Sequence, residues 1–208
     1  MSKYSVKGAA PTPGEINQLV ALFNAGRNVE LENRARLLVE QYPDSGFAWK
    51  VLAMVIKQMG RSADALESMQ KAAALSPSDA EVHHNLGVTL HELGRLDEAE
   101  VNFRRALQIK PNWAKAHHSL GNALTGLGQL VEAEVSCRRA LQIKPDWAEA
   151  HYNLGIVLTG LGRLDGAEVC YCRALEIKPD FAEAHGNLGI ILRDLGRLDE
   201  AEVSYRRA

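Results

Sequence analysis

A spacing of 34 residues recurs along most of this 208-residue chain. Proline, glycine, leucine and alanine each return at this step, and the prolines are Pro43, Pro77, Pro111, Pro145 and Pro179. Four residue types that share one spacing indicate a repeated structural motif rather than a single globular core. Such a chain folds by stacking copies of the motif, because no copy can bury its apolar side chains alone.

Each repeat has the pattern of two helices joined by a tight turn. In the copy that starts at residue 80, apolar residues recur at helical steps of three and four before a glycine: Val82, Leu86, Leu90, Leu93 and Gly94. A second helical pattern follows, and Pro111 ends it because proline has no amide hydrogen to continue a helix. The residues directly after the prolines, which we expect to cap the first helices, are Ser78, Asn112, Asp146 and Asp180.

The repeats divide the chain into three parts. We expect residues 1–14 to be a mobile leader, residues 15–45 to be a degenerate helical pair that caps the array, and residues 46–208 to be the array itself. The copies start at residues 46, 80, 114, 148 and 182. The last copy is truncated and leaves an apolar stacking face open, which favours a fragment of a longer protein.

Residues 46–208 resemble the tetratricopeptide repeat (TPR). With the proline at position 32, that family has leucine and glycine at positions 7 and 8, alanine at 20 and 27, and an aromatic residue at 24. The copy that starts at residue 80 matches with Leu86, Gly87, Ala99, Phe103 and Ala106. The resemblance implies an all-α fold, an α-solenoid in which helix-turn-helix repeats form a right-handed superhelix.

Composition argues against several classes of partner. The net charge of −2 is unlike the basic field of a nucleic-acid-binding protein. No apolar run approaches the roughly 20 residues that cross a bilayer, and the first residues lack the apolar stretch of a secretory signal. We therefore expect a cytoplasmic protein with no nucleic-acid partner and no membrane partner.

Cysteines and histidines predict neither a metal site nor a cofactor. The three cysteines lack metal-ligand spacing and are interpreted as small apolar fillers. Position 4 is where the family places a packing aromatic, so we expect half-buried spacers at His83, His117, His151 and His185. No catalytic motif is present, and we predict that this chain is not an enzyme.

The family resemblance places the ligand groove on the concave side, which positions 2, 5, 6, 9, 12 and 13 of each first helix would line. An amide side chain both donates and accepts hydrogen bonds, so asparagines spaced along a groove could bind the backbone of an extended peptide. The candidate peptide-binding residues are Asn85, Asn122, Asn153 and Asn187, with His84, His118, Tyr152, Lys50 and Lys115 beside them.

One narrower resemblance concerns position 6. The stretches "HYNLGIVLTGLGRLDGAEVCYCRALEIKPDFAEAH" and "HGNLGIILRDLGRLDEAEVSYRRA" are similar to repeats of O-linked N-acetylglucosamine transferases and their SPINDLY-like bacterial relatives. In those proteins a ladder of asparagines at position 6 holds the substrate polypeptide. Asn85, Asn153 and Asn187 match that ladder, whereas Ser119 and Val51 depart from it.

A second narrower resemblance is to chaperone adaptors whose repeats clamp a chain-terminal carboxylate. Lys50, Asn85 and Lys115 match the clamp, but Met54 and Ser119 occupy its other two places. Losing one cation and one amide would weaken the grip on a carboxylate.

These observations predict a protein–protein interaction scaffold that binds a partner peptide or protein in the concave groove of a TPR superhelix. Two alternatives stay open: the substrate-recognition arm of a larger glycosyltransferase-type enzyme, and a carboxylate-clamp binder. Self-association through the uncapped C-terminal end is a further possibility, since an open stacking face could receive another copy.

Overall fold

The computed structural model of the chain describes residues 10–208, so most of the predicted mobile leader lies outside the described residues. Within them, twelve helices follow one another with no strand, which confirms the all-α helical-repeat fold. The first helices of successive pairs are α1 (Pro13–Asn24), α3 (Gly46–Gln58), α5 (Ala80–Glu92), α7 (Ala114–Gly126), α9 (Ala148–Gly160) and α11 (Ala182–Asp194). The second helices are α2 (Asn28–Gln41), α4 (Ser62–Leu75), α6 (Leu96–Ile109), α8 (Leu130–Ile143), α10 (Leu164–Ile177) and α12 (Leu198–Tyr205).

The chain divides after Ile109 into two compact units. The N-terminal unit contains α1 to α6, and the C-terminal unit contains α7 to α12. Within each unit, a second helix packs against the first helix of its own pair and against the first helix of the next pair. Every pair therefore shares its apolar faces with a neighbour, as expected for stacked repeats.

Helix α1 begins at Pro13, two residues before the predicted boundary of the leader. The Thr12 hydroxyl accepts a hydrogen bond from the Glu15 amide (3.4 Å), and the Thr12 amide donates to the Glu15 carboxylate (2.9 Å). This reciprocal capping box, with proline at the first helical position, starts the helix. Glu15 also accepts a bond from the Tyr42 hydroxyl (2.9 Å), which ties α1 to the end of α2.

The caps of the later first helices lie one residue after the predicted capping residues, so these helices begin two residues after them. The cap positions are held by Asp79, Trp113, Trp147 and Phe181. Asp79 accepts a hydrogen bond from the Glu81 amide at 2.9 Å, whereas the three aromatic residues have no side chain that can accept one. The residue after each proline is instead part of the turn.

The two helices of a repeat cross where one residue has no side chain. A Cβ atom added to Gly87 would lie 2.7 Å from Cε1 of Phe103, and Phe103 is only 1% exposed. Ala99, on the same helix as Phe103, is fully buried. Small residues at the crossing thus let α5 and α6 approach closely.

The position-4 residues bond to the proline that closes the preceding repeat. The Trp49 indole donates to the Pro43 carbonyl at 2.7 Å. Histidine rings make the same contact at 2.8–3.2 Å, pairing His83 with Pro77, His117 with Pro111, His151 with Pro145 and His185 with Pro179. A carbonyl only accepts, so Nε2 of each ring carries the proton. Each ring therefore ties a first helix to the turn before it. Three of these histidines are half-buried, as predicted, whereas His185 is buried at 6% exposure.

Replacing His151 with phenylalanine is expected to lower the free energy of unfolding by about 1 kcal/mol, because the Pro145 carbonyl then loses its donor. His151→Trp is the matched control, since tryptophan makes this bond at the equivalent position of an earlier repeat. Urea unfolding followed by circular dichroism measures both variants. Equal losses in the two would show that the hydrogen bond contributes nothing.

Candidate functional site

Three of the predicted peptide-binding residues meet in the C-terminal unit. The Asn153 side-chain nitrogen lies 2.7 Å from Oδ1 of Asn122 and 2.8 Å from Nε2 of His118. Asn153 comes from α9, while the other two lie one helical turn apart on α7. An amide nitrogen only donates, so Nε2 of His118 accepts and carries no proton. We call His118, Asn122, Asn153, Tyr152 and Asn187 the polar cluster.

The environment keeps the His118 ring neutral. Burial lowers its pKa, and hydrogen bonding to the Glu149 backbone only partly opposes this. The ring also packs on Trp147, with ring centroids 4.5 Å apart. A neutral ring can accept from Asn153, whereas a protonated ring would set two donors against each other.

The remaining members of the polar cluster lie on α9 and α11. The Asn187 amide donates to the Tyr152 hydroxyl at 3.2 Å. The Tyr152 ring packs against Phe181 at 4.8 Å between centroids, and burial raises the pKa of its hydroxyl. The phenol therefore stays protonated, and both Tyr152 and Asn187 are half-buried residues.

Lys50, in the N-terminal unit, is already paired. Its ammonium lies 3.1 Å from the Asp79 carboxylate and 3.2 Å from the Glu81 carboxylate. Burial opposes the charged form, but the hydrogen bonds to these two carboxylates raise the pKa of Lys50. A ligand carboxylate would have to displace both partners. Lys115, in the C-terminal unit, is exposed on α7.

His84 does not lie on the surface where the sequence analysis places it. Its ring is 1% exposed and packs against Phe103, with ring centroids 5.5 Å apart. Burying the ring beside this aromatic residue completes the contact between α5 and α6. His84 is thus part of the core, unlike His118, which occupies the same repeat position and is half-buried.

The N-terminal unit contains an apolar pocket that the sequence analysis missed. A cavity of about 620 Å³ is bounded mainly by residues of α1 and α3, and Leu31 of α2, Met69 of α4 and Asn85 of α5 also line it. Ile16, Val20 and Phe23 from α1 and Phe47, Val51 and Met54 from α3 define what we call the apolar groove. The three α3 residues stand at positions 2, 6 and 9, where ligand contacts are predicted, although the predicted contact residues are mostly polar.

Sequence comparison decides the family. A profile of the tetratricopeptide repeat matches residues 44–112 and 114–180, and a second one matches residues 170–203. The chain belongs to the tetratricopeptide repeat family. Comparison with curated protein sequences finds no match.

Solved structures share this fold at low sequence identity. PilW, a type IV pilus biogenesis factor, superposes with a TM-score of 0.80 at 21% identity, covering 91% of this chain and 88% of PilW. MamA 41-end from Desulfovibrio magneticus RS-1 gives 0.74 at 21% identity, with coverages of 78% and 92%. YrrB, described as a TPR protein with an unusual peptide-binding site, gives 0.70 at 22% identity, with coverages of 83% and 89%. At these identities the likeness establishes the fold alone.

The cysteines of this TPR chain are poorly suited to chemistry. Burial raises the pKa of the Cys137 thiol to about 12 and that of Cys170 to about 11, so both stay protonated and unreactive. Among residues 10–208, no three histidine, cysteine or acidic side chains are placed to hold a metal ion. Within the same range, no helix has the length and apolar character to span a membrane.

Proposed function

We propose that this TPR chain is a protein-binding scaffold whose first helices carry the contact surface for a partner protein or peptide. The polar cluster is the observation that supports this most directly. It sets amide, imidazole and phenol groups side by side on α7, α9 and α11, the consecutive first helices of one unit. The similar structure of YrrB, which has a peptide-binding site, is in keeping with this role.

An extended peptide is the ligand that suits the polar cluster. Each residue of such a peptide presents one N–H donor and one C=O acceptor, and asparagine side chains can bond to both. In the free chain, Asn153 already donates to Asn122 and His118. A peptide carbonyl would replace one of these bonds, so each contact adds only a small net stabilisation. Affinity would then come from several repeats acting together.

The alternatives are supported unequally. The carboxylate clamp is disfavoured because the Lys50 ammonium is bound by two carboxylates of its own unit. A role as the substrate-recognition arm of a larger enzyme of the O-linked N-acetylglucosamine transferase type stays a prediction. A catalytic domain encoded in the same gene would support it. The cytoplasmic location likewise remains a proposal from composition.

Replacing Asn153 and Asn187 together with alanine is expected to weaken peptide binding about tenfold, since each lost amide bond contributes about 0.5–1.5 kcal/mol. The probe is the tightest extended peptide selected from a random 16-residue phage library against the whole chain, and fluorescence anisotropy measures its affinity. Gln142→Ala is the matched control, because Gln142 is an exposed amide on the second helix α8.

Two results would contradict the proposed function. One is that the selection enriches no peptide more strongly on this chain than on an immobilised control protein. The other is an extended peptide whose affinity is the same for the double variant and for the wild-type chain.

A further inference from the structure

The apolar groove is a trough between two helices. On α1, Ile16, Val20 and Phe23 recur at steps of four and three, and Phe47, Val51 and Met54 do the same on α3. Phe23 is 53% exposed and Met54 is 49% exposed, although both are large apolar side chains. Helical rise gives walls of about 10 Å, or roughly two turns. The surface is therefore a continuous apolar stripe rather than scattered exposed residues.

Two of the three α3 positions are polar in the other repeats, whereas position 9 is Asn122 in one of them and apolar in the rest. Position 2 is Phe47 in the first full repeat but Glu81, Lys115, Glu149 and Glu183 in the others. Position 6 is Val51 there but Asn85, Ser119, Asn153 and Asn187 in the others. The scaffold folds with either type of side chain at these sites. The apolar character of this repeat is thus a local property of the N-terminal unit and not a requirement of the fold.

The walls of the groove determine what kind of chain can lie in it. Its polar lining residues are Lys57, Gln58 and Asn85, and the Lys57 ammonium is 3.0 Å from the Glu92 carboxylate. An extended peptide would leave its backbone N–H and C=O groups without partners, at a cost of about 1–3 kcal/mol for each buried group. An α-helix bonds its own backbone and avoids this cost.

Charge restricts the occupant further. Along the groove no lining residue offers an unpaired charge among the residues that the structure describes. A charged side chain pressed against this apolar stripe would lose its hydration without gaining a partner. The face of the occupant that enters the groove is therefore uncharged, and its charged residues must face solvent.

We propose that the apolar groove binds an amphipathic α-helix of a partner protein. The helix lays apolar side chains at i, i+3 or i+4, and i+7 between α1 and α3, in the helix-in-groove mode of recognition. This site is separate from the polar cluster, and it rests on the proposed scaffold function.

The test uses a variant built from residues that other repeats already carry. Phe47→Glu, Val51→Asn and Met54→Asn copy the residues at 81, 85 and 122, so the fold is expected to persist. Val101→Asn is the control, because Val101 is 66% exposed on α6, outside the groove. Circular dichroism and the unfolding midpoint check that both variants are folded.

The probes are the phage-selected 16-residue peptides described above, sorted by which variant abolishes their binding. Peptides that require the groove are expected to carry apolar residues at i, i+3 or i+4, and i+7. They should gain helical circular dichroism on binding and lose at least tenfold in affinity with the triple variant but not with Val101→Asn. The Asn153 and Asn187 double variant should leave their affinity unchanged, so the two sites are tested separately.

Three outcomes would overturn the helix proposal while leaving the scaffold function intact. The groove-dependent peptides could alternate apolar and polar residues without gaining helix. All selected peptides could bind equally well to the triple variant. Alternatively, the chain could self-associate with rising concentration in sedimentation experiments and become monomeric in the triple variant, which would make a second copy the occupant.

Discussion

Replacing Phe103 with alanine is expected to lower the free energy of unfolding by about 3–5 kcal/mol. The ring is 1% exposed and fills the space left by Gly87 at the crossing of α5 and α6. Its neighbours on the same helix face, Ala99 and Ala106, are themselves fully buried and too small to close the space that the ring leaves. Both lost burial and a residual cavity therefore add to the cost.

Val101→Ala is the control for this substitution. Val101 lies on the same helix but is 66% exposed, so its replacement is expected to change the free energy of unfolding by no more than about 0.5 kcal/mol. Urea unfolding followed by circular dichroism measures both variants. A loss below about 1 kcal/mol for Phe103→Ala would show that the helices of this repeat do not cross as described.

Gly155→Ala is expected to destabilise the C-terminal unit by about 1–3 kcal/mol. An added Cβ would lie 2.5 Å from Cε1 and 2.8 Å from Cδ1 of Tyr171, a buried ring. Alanine is the better helix former by about 0.5–1 kcal/mol, but this gain is smaller than the cost of forcing α9 away from α10. The net change in the free energy of unfolding is therefore a loss, because the cost of overpacking exceeds the gain in helix propensity.

The same substitution at Gly186 should have the opposite effect. A Cβ there would have its nearest neighbour, the Cβ of Ala208, at an ordinary contact distance of 3.8 Å. Gly186→Ala is thus expected to raise the free energy of unfolding by about 0.5–1 kcal/mol through helix propensity alone. Thermal unfolding of the two variants side by side tests the pair. If Gly155→Ala and Gly186→Ala changed stability in the same direction, close approach of the helices would not explain the glycine at position 155.

The fold could be predicted because its determinants are local. Helix, turn and helix lie within 34 residues, so periodicity, the turn glycine and the closing proline are all visible in one repeat. The contact made by position 4 is local as well, since tryptophan and histidine both donate a ring N–H to the carbonyl of the proline six residues earlier. The start of each first helix was less predictable, because the aromatic residues at 113, 147 and 181 cap no amide and leave no capping signal.

The site could be predicted only in part, because exposure and pairing depend on neighbouring helices. His84 and His118 share a repeat position, yet one is in the core and the other bonds to Asn153. Lys50 matches a clamp residue, but its ammonium is already bound by Asp79 and Glu81, which lie 29 and 31 residues further along the chain. The apolar groove was not predicted, because the candidate contact residues were chosen for their polar side chains. Its signal is present in the sequence as Phe47 and Val51 at positions that are polar in the other repeats.

Nuclear magnetic resonance mapping of the backbone amides during titration with the selected peptides tests most directly whether the first helices carry the contact surface. For extended peptides, we expect the shifts to concentrate on α7, α9 and α11, and for helical peptides on α1 and α3. Shifts centred on the second helices, for example around the exposed Val135 and Val169, would contradict the account.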